Sequence, residues 1–346
     1  MARQSKSVTI QDVARLVGCS TQTVSRVVNG SPSVRQSTRE RVLQGIEQLD
    51  YHPNIWARNL QRRRVDSIGL SIPFSTEQIR RNPFFAEIIS SVSNECSESQ
   101  MGLNVVSYDK DQEGTDLLIR MHRQKVISGL ILTCPGMDPE CISLLKHKGV
   151  PLVVIGRPTA GVNVSYVDGN NARIAYDCTR HLLNLGHRRV ALINGPSSMT
   201  YSEDLYQGYI RALSERGISR ERGVAVETNL LEDDAELKAR ELISRRPPVT
   251  ACVAANGHLA LGLIRSLREA GRGVPEDVSV IACSSSEYDQ YAYPPISSVR
   301  MDYSRLAQIA FQILMRAIAE VPPNPEQVIL PGQIVERDSC RPFVVR

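Results

Sequence analysis

The chain has 346 residues, 42% of them hydrophobic and 23% charged, with a formal net charge of +4. This is the composition of a globular protein in two or three parts, and it argues against a disordered or fibrous one. The eight cysteines form no C-x-x-C and the six histidines no H-x-x-x-H, so neither a metal nor a cofactor is expected. No apolar run reaches the length of a bilayer span. The opening stretch MARQSKSVTIQDV turns polar before an export signal could form, which makes the expected location cytoplasmic and the expected partners non-membranous.

Charge is unevenly distributed. Up to Arg64, eleven Lys and Arg face four acids, a balance of +7, and the remaining residues carry −3. A basic head on a mildly acidic body suggests a polyanion partner for the head; a merely solubilising basic tail is the plainer reading.

The head begins with TIQDVARLVGCSTQTVSRVVNG, from Thr9 to Gly30. Thr9 is suited to cap a helix in which Ile10, Val13, Ala14 and Val17 share one face, with Asp12 near the positive end of its dipole. Gly18 can end that helix in a left-handed conformation. Ser20 is suited to cap a second helix, with Val24, Val27 and Val28 facing inward and Thr21, Gln22, Ser25 and Arg26 facing out. A third helix is predicted from Ser37, with Glu40 at capping-box spacing and Val42, Leu43, Ile46 and Leu49 as its inner stripe.

Three short helices of this kind fit a helix-turn-helix unit, whose second helix enters the major groove of double-stranded DNA. Gln suits adenine and Arg suits guanine, so Thr21, Gln22 and Arg26 are the candidate base readers. Ser20, Thr23, Ser25 and Asn29 are better placed for phosphates. The same residues could also form the solvated face of an ordinary helical hairpin.

HPNIWARNLQRRR follows Tyr51. Pro53 can start a short helix with Ile55, Ala57 and Leu60 as its small or apolar positions, too short to be stable alone in water. A leucine driven between base steps of the minor groove, flanked by arginines, would order it, and Leu60 is the candidate wedge. A plain charged linker is the alternative.

TIQDVARLVGCSTQTVSRVVNG, TRERV, LDYHPN and ARNL together resemble the lactose-repressor and galactose-repressor (LacI/GalR) family of transcription regulators, and the resemblance continues along the chain. It implies base reading by Thr21, Gln22 and Arg26, a hinge helix containing Ala57 and Arg58, and an intercalating position at Leu60. Trp56 departs from the small aliphatic residue usual where two hinge helices meet.

From Ser67 onward, SIGLSIPF, LNVVSY, GLILTC and PLVVIG alternate with helical patterns, and a second series runs through RRVALING, TACVAAN and DVSVIAC. Such alternation argues for parallel sheets covered by helices. The expected fold is therefore an N-terminal all-α helix-turn-helix domain plus an α/β, periplasmic-binding-protein-like body of two doubly wound lobes. The expected boundaries are 1–52 for the head, 53–65 for the hinge and 66–346 for the body. The first lobe takes about 66–164 and 293–321 and the second about 165–292 and 322–340, with chain crossings near Ser165, Tyr293 and Val321.

Open α/β sheets bind ligands beyond the carboxyl ends of their strands, so facing lobes would form a cleft for a small-molecule effector. The first lobe resembles the family's dimer surface, which implies a homodimer or higher homo-oligomer on a pseudo-palindromic operator. Phe84, Phe85, Asp168, Asn256 and Ser284 are the candidate effector residues. Against the family pattern, Leu205 replaces an arginine, Gly257 and Ser284 replace aspartates, and Met301 stands where glutamine is frequent. This suggests an effector less hydroxyl-rich or differently charged than a hexose, or a cleft that no longer binds a small molecule.

No G-x-S-x-G, P-loop or G-x-G-x-x-G motif supports an enzyme, and no catalytic residue is assigned. A solute-binding protein would share the lobes but not the head. The expected function is a sequence-specific, effector-controlled transcription regulator, most simply a repressor.

Overall fold

A computed structural model describes residues 8–28, 31–51, 65–108, 112–133, 139–219, 223–245, 247–319 and 324–344. The chain separates into two compact units, Met1–Val65 and Asp66–Arg346. Asn29 and the hinge positions Trp56, Ala57, Arg58 and Leu60 lie outside the described residues.

In the first unit, helices α1 (Ile10–Val17), α2 (Thr21–Val28) and α3 (Gln36–Gln48) enclose Val13, Ala14, Val17, Val24, Val27 and Val42. The Asp12 carboxylate accepts from both the backbone N–H and the hydroxyl of Thr9, at 2.9 and 2.7 Å, which ties down the start of α1. Gly18 ends it at φ 64°, a conformation that costs a residue without a Cβ little. The Ser20 hydroxyl then accepts from the Thr23 N–H at 3.1 Å and starts α2.

The third helix differs from expectation. It begins at Gln36 rather than Ser37, and Glu40 accepts from the side chain of Gln36 at 2.8 Å instead of closing a capping box with Ser37. The extra residue at its start places Gln36 and Glu40 one turn apart on the same face, where they meet. Leu43 is 50% exposed rather than internal, because Val42 and Gly45 take the face towards α1. A Cβ on Gly45 would lie 2.3 Å from Cγ1 of Val17, so only glycine lets the two helices approach this closely.

The second unit contains two six-stranded sheets. Strands β1 (Ser67–Ile72), β2 (Gly102–Ser107), β3 (Leu130–Thr133), β4 (Leu152–Ile155), β5 (Tyr166–Gly169) and β11 (Gln327–Leu330) form the first, in the order β11-β5-β4-β3-β1-β2 and wholly parallel. Strands β6 (Val190–Asn194), β7 (Val224–Glu227), β8 (Ala251–Ala254), β9 (Ser279–Ala282), β10 (Ser297–Arg300) and β12 (Gln333–Val335) form the second, in the order β12-β10-β9-β8-β6-β7. Only the β10–β12 pair is antiparallel. Central strands such as LILT, LVVI and ACVA are buried at every position, as strands covered on both faces must be.

Helices α4 (Thr76–Arg81), α5 (Pro83–Glu98), α6 (Gln112–Arg123), α7 (Pro139–His147) and α12 (Tyr303–Ile318) cover the first sheet. Helices α8 (Asn171–Asn184), α9 (Thr200–Glu215), α10 (Glu232–Ser244) and α11 (Gly257–Glu269) cover the second. His187 closes the second lobe at its base. Its Nε2 lies 3.1 Å from both the Ser279 hydroxyl and the Arg341 carbonyl, which anchors the last residues of the chain.

The chain crosses between lobes later than expected near Ser165, Tyr293 and Val321. Strand β5 hydrogen-bonds to β4 and stays in the first lobe through Gly169, β10 stays in the second through Arg300, and the last crossing falls between Leu330 and Gln333. Apolar patterning reveals a strand but not its hydrogen-bonding partner, and the partner decides its lobe. Among the described residues, no helix is long and apolar enough to cross a membrane.

Candidate functional site

On α2 the valines Val24 and Val27 are buried, and Thr21, Gln22 and Arg26 project to solvent from the other side of the helix. Ser20 and Thr23 are joined hydroxyl to hydroxyl at 2.9 Å within the cap, and Ser25 is half-buried.

In the second unit, a cavity of about 150 Å³ opens between the lobes at the carboxyl ends of β4, β5, β8 and β9. All five expected residues, Phe84, Phe85, Asp168, Asn256 and Ser284, line it. Phe85 is only 2% exposed and supports the wall more than it faces the space. It meets Phe74 at a tilted angle (5.2 Å) and Phe84 edge-on (5.3 Å), and Phe84 meets Tyr303 edge-on at 5.5 Å.

Asp168 is half-buried at the end of β5. Its carboxylate accepts from the backbone N–H of Gly169 (2.8 Å) and of Arg157 (3.0 Å) and from the Asn171 amide (3.1 Å). Burial pushes its carboxyl up to about 6 despite these donors, and the Asp204 carboxylate adds to the rise. Ser284 lies within hydrogen-bonding reach of the Tyr201 and Tyr303 hydroxyls, and burial raises both phenols above their ordinary range, so they remain protonated. Tyr201 also donates to the Ala255 carbonyl at 2.6 Å.

Arg157, just past β4, bridges the lobes. Its guanidinium makes two hydrogen bonds to Asp204 of α9, at 3.0 and 2.8 Å, and a longer one of 3.4 Å to Glu203. The Thr200 hydroxyl donates back to the Arg157 carbonyl at 2.7 Å.

The sequence reading missed Phe74, Arg157, Tyr201, Leu230 and Tyr303. The rule that ligands sit beyond strand carboxyl ends could have found Arg157, two residues past β4. Leu230 had no local signal, since its φ of 68° and its packing over Gly195 come from the fold.

The departures from the family pattern also separate. Ser284 and Met301 line the cavity. Leu205 does not, being fully buried in the core of the second lobe. At Gly257 the space for a side chain is filled from elsewhere, because a Cβ would lie 2.5 Å from the Asp289 carboxylate. Of Leu205, Gly257 and Ser284, only Ser284 lines the cavity.

A valine-lined helix-turn-helix head followed by two facing α/β lobes with a cavity at their strand ends defines a helix-turn-helix transcription regulator. Residues 9–54 match the model for bacterial regulatory proteins of the lacI family, and residues 179–340 match that for a periplasmic binding protein-like domain. The chain is 34% identical over 334 residues to the HTH-type transcriptional regulator CelR of Thermobifida fusca, covering 96% of this chain and 98% of that protein. It is 30% identical over 338 residues to the HTH-type transcriptional repressor PurR of Vibrio atlanticus (strain LGP32), with the same coverage.

Among solved structures, the CelR–cellobiose complex superposes with a TM-score of 0.74 at 31% identity, covering 96% of this chain and 99% of that one. The Lac repressor dimer bound to operator and the anti-inducer ONPF superposes with a TM-score of 0.87 at 23% identity, covering 97% and 100%, and so shares the fold. The chain belongs to the lacI family of bacterial regulatory proteins. It is a DNA-binding transcription regulator, and its relatives are regulators, not enzymes.

Proposed function

We propose that the chain acts in the cytoplasm as a homodimeric repressor, reading a pseudo-palindromic operator with Thr21, Gln22 and Arg26, and that a small molecule in the inter-lobe cleft controls its affinity for that operator. The carrying observation is the exposure of these three side chains on the outer face of a helix whose inner face is locked by Val24 and Val27. A rigid helix presenting an amide and a guanidinium can make bidentate contacts to adenine and guanine in the major groove.

Ser20, Thr23, Ser25 and Asn29 would hold phosphates, and Ala57, Arg58 and Leu60 would enter the minor groove. Effector binding would favour one arrangement of the lobes, and through it one state of the hinge segments, by differential affinity for the two. Phe84, Phe85, Asp168, Asn256 and Ser284 support the cleft as the effector site, since all line one cavity.

Selection of bound duplexes from a random pool by the full chain tests the reading. A recovered palindrome whose half-sites contain adenine and guanine contacts supports it. Equal affinity for every duplex at moderate ionic strength overturns it.

A further inference from the structure

We infer that the body adds a grip of its own on DNA: basic side chains at the base of the first lobe, Arg120, Arg123, Lys125, Lys146 and Lys148, hold backbone phosphates of the duplex. Past Arg64 the chain is net acidic, so this local excess of cations runs against the charge of the body around it. Three observations support the inference.

The first is where these residues stand. Strands β1, β3 and β4 are parallel neighbours, so the turns that lead into β3 and β4 lie at the same edge of the sheet as the start of β1. The carbonyl of Ser67, the first residue of β1, accepts from the N–H and from the hydroxyl of Ser128, both at 2.8 Å. Arg120 and Arg123 stand in the last turn of α6 and Lys146 in the last turn of α7, with Lys125 and Lys148 just beyond, in the two turns. The chain enters the body from the DNA-binding head at Asp66, one residue before β1. The cluster is thus built at the edge of the body to which the head is tethered.

The second is the want of acids around them. No Asp or Glu occurs from Leu117 to Thr133 or from Cys141 to Val167, and the acids of α6 and α7, Glu113, Asp116 and Glu140, lie in the N-terminal halves of those helices. All five basic residues are exposed, and none pairs with a carboxylate among the described residues. The opposite face of the same sheet differs. There α5 ends with Glu95 and Glu98, and Arg316 of α12 is held by Glu326 at 2.8 Å. Unpaired cations gathered on one face attract a polyanion and release its counterions.

The third is the backbone of Lys125. The turns after α6 and α7 close with the same pair of bonds: Lys125 N–H to the His122 carbonyl (3.0 Å) and Val126 N–H to that of Met121 (2.9 Å), Gly149 N–H to that of Lys146 (2.9 Å) and Val150 N–H to that of Leu145 (3.1 Å). Lys125 and Gly149 therefore hold matching left-handed positions, at φ 56° and 75°. Glycine adopts this conformation freely and lysine at a cost. Cations near a helix C-terminus also suit the helix dipole, but Arg120 and Arg123 already serve that end of α6. Strain accepted at Lys125 points to a use for its side chain, and an ammonium in that turn is suited to a phosphate.

Equilibrium binding of the full chain across a range of salt concentrations tests the inference, on a random duplex and on the duplex recovered by selection. A fourfold variant, carrying Arg123→Gln, Lys125→Gln, Lys146→Gln and Lys148→Gln in one chain, is expected to lower the salt slope by about two and to weaken both duplexes by about tenfold or more at about 0.1 M salt. The half-sites it selects should be those of the parent. Lys125→Gly alone should be at least as stable as the parent in urea and still lower the slope by about one. Arg240→Gln, exposed on α10 of the second lobe, should leave the slope as it is.

An unchanged slope for the fourfold variant on the random duplex overturns the inference. That result does not depend on whether the parent prefers one operator, so it is distinct from a failure of base reading by α2. Capture of the parent but not of the fourfold variant by phosphatidylserine vesicles, with the slope on DNA unchanged, would assign the cluster to a membrane surface and overturn it as well.

Discussion

Arg157 of the first lobe and Asp204 of the second hold each other through two hydrogen bonds of 3.0 and 2.8 Å across the mouth of the cleft. The pair is 47 residues apart in sequence, and its side chains are 30% and 20% exposed. A forked, partly dehydrated contact of this kind is stronger than a surface ion pair and opposes separation of the lobes. Arg157→Ala, Asp204→Ala and the double variant should give a coupling of about 1–2 kcal/mol in a cycle measured by denaturant unfolding. A coupling near zero would mean that the contact holds nothing together.

Gly45 should not tolerate a side chain. Val17 occupies the space a Cβ would need, so Gly45→Val must push α1 and α3 apart, at a cost of about 1–3 kcal/mol to the head. Because the damage falls on the support of α2 and not on its outer face, affinity for specific and random duplexes should drop together. A variant as stable as the parent, read by urea unfolding of the full chain, would contradict the close approach.

Arg26 and Arg62 should behave differently. Arg26→Ala should cost roughly 1–3 kcal/mol on the selected operator and relax preference at one base position. Arg62→Ala, in the basic run of the hinge, should weaken all duplexes alike and reduce the salt slope by about one. Identical behaviour of the two variants on specific and random DNA would rule out base reading by α2.

Asp168 makes stability depend on pH in an unusual direction. Its folded carboxyl titrates at about 6, above the ordinary value of 3.8, so the folded state holds a proton that the unfolded chain has already released. The contribution is fully present below about pH 4, declines as pH rises to about 6 and is absent above it, a change of roughly 3 kcal/mol. Asp168→Asn should remove that fall from the variant's own profile of stability against pH, measured by unfolding at fixed pH values, so that the difference from the parent changes between about pH 4 and pH 6. A variant profile as steep as the parent's would show that this carboxyl titrates normally.

His187 acts in the opposite sense. Burial lowers its pKa, so the stability it contributes is present above the ordinary histidine range and is lost as pH falls through it. His187→Gln should reduce the fall in stability between pH 7 and pH 5. A fall as steep as the parent's would remove His187 as its source.

Much of the head was legible from local pattern. Thr9 with Asp12, Gly18 and Ser20 mark helix ends through contacts spanning only a few residues, and the valine spacing identifies the inner faces. Leu43 and the start of α3 were misread because one residue of helical phase changes which side chain points inward. In the cleft, Phe84, Asp168, Asn256 and Ser284 were legible from the resemblance to a known family, and all meet at one cavity. The meaning of Leu205 and Gly257 was not, because a missing charge in the sequence says nothing about whether its position faces the cavity or whether Asp289 fills the gap.

By itself, the sequence determined the α/β class of the body, the three-helix head and the side chains that head exposes, since periodicity and capping depend on neighbours within a turn or two. Only the tertiary structure decided which lobe holds β5, β10 and β11, that Arg157 meets Asp204, and that Asn82, Asn229 and Asn256 around one cavity each commit their side-chain oxygen to a backbone N–H. Those outcomes depend on groups brought together from distant parts of the chain, where the energy of a contact is set by the partner and by the exclusion of water.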